Sequence, residues 1–309
     1  MDRFHSLEVF CTVAEVSSFS KAANKLRISA AAVTRAVASL EERLGARLLN
    51  RTTRSLSLTE AGSQFLDSAR RILADLDTAE KTAAGDKAAP AGHLTLTAPL
   101  TFGRMHVTPA LLEFLRAQPK VTASLTLLDR IVSLTEEGID AAIRIGDLPD
   151  SSLVARAVGE VQRIWVASPA YLAARGAPAT PAELQRHGIL AFPGANPARE
   201  WRFRDGKRTK AVAIAPRLEV NDAAAAIAGA VLGEGITMAF TYMVAPLLAE
   251  GKLKLILDEF APPPVPVQIV YQESRLMPAK LRAFIDFAAP RLSHALAEVG
   301  VQLSLARRR

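Results

Sequence analysis

Ser29, Thr34 and Arg35 lie close together near the front of the chain, and Arg51, Thr52, Thr53 and Arg54 follow soon after. Hydroxyls and guanidinium groups are donors for anionic oxygens, and an arginine fork also fits the paired acceptors on a guanine edge. Between residues 20 and 58 the bases are Lys21, Lys25, Arg27, Arg35, Arg43, Arg47, Arg51 and Arg54. Only Glu41 and Glu42 oppose them, a local excess of six in a chain whose formal charge is +7. A compact stretch with that excess is an electrostatic footprint for phosphate. The chain also ends Arg307-Arg308-Arg309, but a frayed basic tail is common without any function.

The spacing of apolar residues says what must hold these groups. Ala22, Ala23 and Leu26 make one face of a short helix. Val33, Val37, Leu40 and Leu44, at steps of four, three and four, make one stripe of a second. Ile28 can plug the corner between them. Ser20 and Ser29 each precede a helical run, where a hydroxyl accepts from orphan N–H groups. Alanines at 22, 23, 31 and 32 permit close approach, a helix-turn-helix pattern that leaves Thr34 and Arg35 outside. A first helix over Ser6 to Glu15 turns Leu7, Phe10 and Ala14 inward. Leu48 to Leu58, basic and rich in threonine, fits a β-ribbon wing along a phosphate backbone.

The order Ser-Phe-Ser-x-Ala-Ala-x-x-Leu from Ser18, Ser-x-x-Ala-Val-Thr-Arg, Leu-Glu-x-x-Leu-Gly-x-x-Leu-x-x-Arg and Leu-Thr-x-Ala-Gly resembles the LysR-type transcriptional regulator family. The resemblance extends, more weakly, through nearly all of the chain. It implies an α+β multidomain protein: an N-terminal winged helix-turn-helix, a long linker helix, then two α/β Rossmann-like lobes of the periplasmic-binding-protein type. It also implies double-stranded DNA with a dyad operator as partner, a small-molecule effector, a homodimer through the linker helix and a homotetramer built from two such dimers. RNA polymerase is a further possible partner. On this reading Ser29, Ala30, Ala31, Thr34, Arg35, Arg51, Thr52, Thr53 and Arg54 face DNA. The family often has Gln where this chain has Ala30. Alanine can touch a thymine methyl but cannot hydrogen-bond a base edge, which moves base reading toward Thr34, Arg35 and the ribbon.

The remaining pattern gives domains of 1–58 for DNA binding, 59–89 for the linker helix and hinge, and 90–309 for the effector. Lobe I takes about 90–162 and 267–296, and lobe II about 163–266. Thr59 can cap the linker helix. Phe65, Ala69, Ile72, Leu76, Ala79 and Ala83 form a heptad seam that wants a partner helix. Gly85 to Gly92 reads as a hinge. Beyond it, strands at 93–98, 121–128 and 141–145 alternate with helices near 111–115 and 132–137, which implies a parallel sheet. Lobe II holds strands at 164–167, 201–203, 211–214 and 236–240, with helices at 169–175, 223–232 and 243–248. Val267 to Tyr271 returns to the first sheet, and a last helix spans Ala279 to Leu296.

In open α/β sheets ligands sit outside the carboxyl ends of strands, between lobes. The turn Ala98-Pro99-Leu100-Thr101 could offer helix-start N–H groups to a carboxylate. By the family resemblance Leu100, Thr101, Asn221 and Thr241 line the effector cleft, with Arg144 and Phe192 as additions. Thr101, Asp222 and Thr241 serve equally well as helix caps, Arg144 could pair with Asp140 or Asp147, and Phe192 suits a core. Phe240 stands where the family usually has Pro and favours an apolar effector.

Other chemistry lacks its residues. Ser18-Phe19-Ser20-Lys21 matches the Ser-x-x-Lys of penicillin-binding enzymes but lies in the helical unit. Gly233-Glu234-Gly235 lacks a third glycine, and the five histidines have no ligand spacing. No enzyme, metal or cofactor is therefore expected. The single cysteine, Cys11, allows no internal disulfide and reads as a buried, inert thiol. The start of the chain shows no export signal and the apolar stretch 223–249 is broken by glycines and Pro246, so a cytoplasmic protein without a membrane span is expected. A solute-binding protein and a cleft enzyme remain the two rival readings. The first conflicts with the basic front and the second with the missing nucleophile.

Overall fold

A computed structural model of the chain describes residues 2–51, 56–83, 89–147, 153–192, 200–206, 208–274 and 277–308; for Arg51 and parts of 67–83 it describes the backbone alone. The chain divides into two compact units, 1–93 with 278–280 and 94–277 with 281–309.

The first unit opens with α1 (Arg3–Val16), α2 (Phe19–Leu26) and α3 (Ala30–Leu44). Ser18, not Ser20, caps α2: its Oγ accepts from the Lys21 N–H at 3.3 Å, while Ser20 lies inside the helix. Ser29 caps α3 as expected, accepting from Ala32 at 3.1 Å. Two short strands, β1 (Leu49–Arg51) and β2 (Leu56–Leu58), pair antiparallel as the wing, Leu49 opposite Leu58. Then α4 (Glu60–Ala83) begins, capped by Thr59, whose Oγ1 accepts from the Gly62 N–H at 2.9 Å.

One core joins these helices: Phe10, Val13, Ala22, Val33, Val37, Leu40, Leu48 and Leu49 are buried, with Ile28 packed at the corner. The linker helix contributes to it, which corrects the seam reading. Phe65 meets Phe10 at 5.7 Å between ring centroids, Leu66 and Ala69 are buried, and Leu73 packs beside them. The winged unit covers the first half of α4 because α1 lies against it. Of the remaining seam positions, Ile72 is 44% exposed and Leu76 is half-buried. The side chains of Ala79 and Ala83 lie outside the described residues.

The second unit has two lobes. Lobe I contains β3 (Gly92–Ala98), α5 (Leu100–Phe102), a π-helical segment (Gly103–Val107), α6 (Thr108–Ala117), β4 (Val121–Leu127), β5 (Ala141–Ile145) and β6 (Leu153–Val161). Lobe II runs through β7 (Arg163–Ala167), α7 (Pro169–Arg175), β8 (Ile189–Ala191), β9 (Glu200–Asp205), β10 (Arg208–Ala213) and β11 (Pro216–Glu219). It continues through α8 (Ala223–Val231), β12 (Ile236–Phe240), α9 (Thr241–Ala249) and β13 (Lys254–Ile256). The chain then returns to lobe I as β14 (Val265–Gln272) and finishes in α10 (Ala279–Ala306).

Both lobe sheets are mixed, not parallel. Lobe I has the order β4-β3-β5-β14-β6, with β3 parallel to β5 and the returning β14 antiparallel to both its neighbours. Lobe II has the order β11-β8-β12-β7-β13, parallel through β11, β8 and β12, and antiparallel at β7 and β13. The helix expected near 132–137 is a turn. Ile139 N–H reaches back to Leu134 at 2.8 Å, and Gly138, at φ 61°, bends the chain before a second turn can form. The stretch 223–249 resolves into α8, β12 and α9, and among the described residues no helix is long and apolar enough to cross a membrane. The last helix continues ten residues past the expected Leu296, because Val299 and Leu303 extend its buried stripe.

Candidate nucleic-acid interface and ligand recess

The second helix of the helix-turn-helix has two different faces. Val33, Ala36, Val37 and Leu40 are buried, while Ala30, Ala31, Thr34, Arg35 and Ala38 are exposed at steps of one, three, one and three. Thr34 Oγ1 donates to the Ala30 carbonyl at 3.0 Å, which fixes its rotamer and leaves its oxygen outward as an acceptor. Ser29 accepts the capping N–H, so its own O–H remains to donate to a phosphate. Arg35 makes no ion pair among the described residues. Ala30 presents only a methyl.

The flanking charges are sorted by their partners. Lys25 pairs with Glu15 at 2.8 Å, and that hydrogen bond holds the Glu15 carboxyl below its usual range. Glu41 turns to the backbone instead: its Oε1 accepts from Leu48 and Leu49 at 2.9 and 3.1 Å, locking the start of the wing to the end of α3. Arg27 closes α2 in the left-handed region at φ 54° with its side chain exposed. Thr52, Thr53 and Arg54 lie outside the described residues, as does the side chain of Arg51, whose backbone ends β1.

Cys11 is half-buried on α1. Burial pushes its thiol up to about 11, against a smaller lowering by the Arg70 cation. At pH 8 the thiolate fraction is then roughly 100-fold below that of an unperturbed cysteine. Native protein should therefore react with iodoacetamide about that much more slowly than protein unfolded in guanidinium, as followed by mass spectrometry. Equal rates would show an accessible thiol.

In the second unit the two lobes meet over an aromatic floor. Tyr242 and Ala245 from lobe II's α9 belong to the buried cluster of lobe I. The Tyr242 ring meets Phe102 edge-on at 5.1 Å, His106 at 5.7 Å and Phe240 at 6.0 Å. Arg163 lies 4.9 Å over Phe240, a cation on a π face. Burial, then the Asp129 carboxylate, hold the Tyr242 phenol well above its usual range, so it stays a hydroxyl. Burial lowers His106, which keeps that imidazole neutral, and its Nε2 is buried with no hydrogen-bond partner among the described residues.

Beside this floor lies a recess of about 460 Å³ between the lobes, within the range of small-molecule sites. Thr101 and Met105 of lobe I face Ile227, Val231, Met243 and Leu247 of lobe II across it, and Arg104 stands among them as the cation. Of the six effector residues expected from sequence, Thr101 is the one in this lining. The Leu100 N–H at the start of α5 is already held by Asp129 Oδ1 at 3.0 Å, so that donor is not open to a ligand carboxylate. Thr241 is buried, its Oγ1 accepting from Gln162 N–H at 3.3 Å. Asn221 is exposed next to Asp222, which caps α8 by accepting from Ala224. Phe192 packs against the core of lobe II. Arg144 donates to the carbonyls of Arg130 and Val132 at 3.4 and 3.0 Å, tying down the β4–β5 connection. Sequence reasoning overlooked Phe102, His106, Gln162 and Arg163; the adjacency of Phe240, Thr241 and Tyr242 was the signal available for the floor. Among the described residues no three His, Cys, Asp or Glu side chains stand together as a metal site.

Known proteins share this arrangement. The family described as "Bacterial regulatory helix-turn-helix protein, lysR family" matches residues 4–63, and "LysR substrate binding domain" matches residues 87–293. An HTH-type transcriptional regulator of Xanthomonas campestris pv. campestris is 35% identical over 289 residues, covering 92% of this chain and 84% of that protein. The HTH-type transcriptional regulator CrgA of Neisseria meningitidis serogroup B is 33% identical over 291 residues, covering 94% and 97%. The solved structure of CrgA matches with a TM-score of 0.59 over 96% of this chain and 98% of that one. Full-length AphB, a Vibrio cholerae virulence activator, matches with a TM-score of 0.59 at 29% identity over 93% and 98%. The chain belongs to the LysR family: it is a LysR-type transcriptional regulator, with a DNA-binding helix-turn-helix in front of a two-lobed effector-binding domain.

Proposed function

We propose that two subunits, paired through α4, place two copies of α3 in successive major grooves of a dyad operator. Thr34 and Arg35 reach base edges there, while Ser29, Arg51, Thr52, Thr53 and Arg54 hold phosphates or the minor groove, with Ala30 and Ala31 against the base methyls. The supporting observation is the free outer face of α3, which presents Thr34 and Arg35 among small alanines on a helix whose other face is sealed in a core. Pairing is favoured by Ile72, a large apolar side chain left 44% exposed on the linker helix. Two such dimers make a homotetramer, working in the cytoplasm, and its contact with RNA polymerase follows from how it bends the operator. The cleft serves binding and not catalysis. Footprinting on the DNA upstream of the gene tests this reading. Protected half-sites should lie one helical turn, about 34–36 Å, or a multiple apart. A single unpaired footprint would remove the paired mode, and none at all would favour the solute-binding or enzymatic rival.

The effector carries an apolar body. The recess beside the lobes' aromatic floor is lined by Ile227, Val231, Met243 and Leu247, and methionine adapts to irregular ligands. Calorimetry with a panel of aromatic and aliphatic acids should find binding with a negative heat-capacity change. Tight binding of a small hydrophilic ligand would count against it.

A further inference from the structure

The final helix belongs to both lobes. Phe284, Ile285, Ala288, Leu292 and Leu296 are buried in the core of lobe I. Further along the same rod, Leu303 is buried in the core of lobe II with Ile164, Val166, Leu248 and Leu253, and Ala306 packs against that cluster. An unbroken helix of 28 residues therefore bridges two bodies that are also joined by two chain crossings and by the aromatic floor around Tyr242.

Just past its end, Arg307 reaches those crossings. Its Nε and Nη2 each donate to the Asp258 carboxylate at 2.9 Å, a two-pronged pair, and Nη2 also donates to Gln162 Oε1 at 2.9 Å. Gln162 is the residue between β6 and β7, the first crossing. Its Nε2 donates to the Pro262 carbonyl at 2.8 Å, on the second crossing. Its backbone exchanges bonds with Thr241: Thr241 N–H donates to the Gln162 carbonyl at 2.9 Å, and Gln162 N–H donates to Thr241 Oγ1. Asp258 follows Leu257, a leucine held in the left-handed region at φ 54° and buried at 7% exposure. That conformation is disfavoured for a non-glycine residue, so packing in lobe II fixes the turn that presents the carboxylate.

We propose that residues 299–307 form a strap that sets the angle between the lobes, with Arg307 as its clasp on Gln162 and Asp258. Any rotation about the crossings must change the Gln162 bonds to Pro262 and Thr241. Arg307 holds the Gln162 amide in the orientation those bonds need. The terminal basic run is thus in part a structural device, and the frayed-tail expectation does not hold for Arg307. The strap acts without any ligand, so it stands apart from the effector reading.

Hydrogen exchange of the full chain, read by mass spectrometry on peptides covering 160–166, 238–243 and 258–266, tests it. Arg307→Ala should speed exchange there roughly tenfold while the inner strands β3 and β8 keep wild-type rates. Arg307→Lys, which keeps the charge but loses the fork, should show most of the same effect. Arg308→Ala, an equal charge change one residue on, should show none. Unchanged rates at both crossings in Arg307→Ala would overturn the proposal, as would an even rise across the whole two-lobed unit.

Discussion

Gly62→Ala should abolish operator binding and split the unfolding of the chain into two transitions. A methyl at Gly62 would lie 1.9 Å from the Leu48 carbonyl oxygen and 2.8 Å from its carbon. Those are backbone atoms, and they are already committed. The Leu48 carbonyl accepts from Thr59 N–H at 3.0 Å, Thr59 Oγ1 donates to the Arg47 carbonyl at 2.7 Å, and Leu48 N–H donates to Glu41. Four segments meet in this joint: the end of α3, the start of the wing, the capping Thr59 and the first turn of α4. None can give way alone, so the cost belongs at or above the upper end of overpacking, about 3 kcal/mol. Both tryptophans, Trp165 and Trp201, lie in the two-lobed unit. Far-UV dichroism should then show an early transition that tryptophan fluorescence does not follow. Gly300→Ala is the control: nothing stands within 4 Å of that position in α10, and the same change should stabilise by up to about 1 kcal/mol. Coincident melts and undiminished DNA binding in Gly62→Ala would show that the joint is slack.

Arg35→Ala should lower operator affinity by about 1–3 kcal/mol, roughly fivefold to 150-fold, and relax base preference at one position. The side chain is exposed on the free face of α3, one residue from the pinned Thr34, and has no ion pair among the described residues to lose. Arg54→Ala should behave differently, weakening all sequences alike and making the salt slope shallower by about one. Competition binding against an operator library separates the two patterns. Unchanged binding in both variants would remove the assignment of these residues.

The interface was the most legible part of the sequence because its signals are local. Val33, Val37, Leu40 and Leu44 repeat at helical steps, and the caps at Ser29 and Thr59 lie within three residues of the N–H groups they satisfy. The spacing alone does not separate Ser18 from Ser20 as the cap of α2, because both offer the same hydroxyl within two residues. Legibility fails where partners are distant. Gln162 bonds residues 79, 100 and 145 positions away, so no pattern around it marks a hub. Strand β6 leaves no signal in the sequence because it is an edge strand whose burial does not alternate, with Val158 and Val161 its buried side chains. Strands β8 and β13, at three residues each, are too short to carry a period. The direction of β14 could not be read at all, since side-chain alternation is the same in parallel and antiparallel strands.

Fluorescence anisotropy of a labelled upstream fragment, titrated with the full protein over a series of salt concentrations, bears most directly on the whole picture. Paired subunits that each neutralise about three phosphates should give a slope near −5 in log affinity against log salt, with two subunits or a multiple bound per fragment. A flat salt dependence with one subunit per fragment would mean that the basic front of this chain does not grip a duplex.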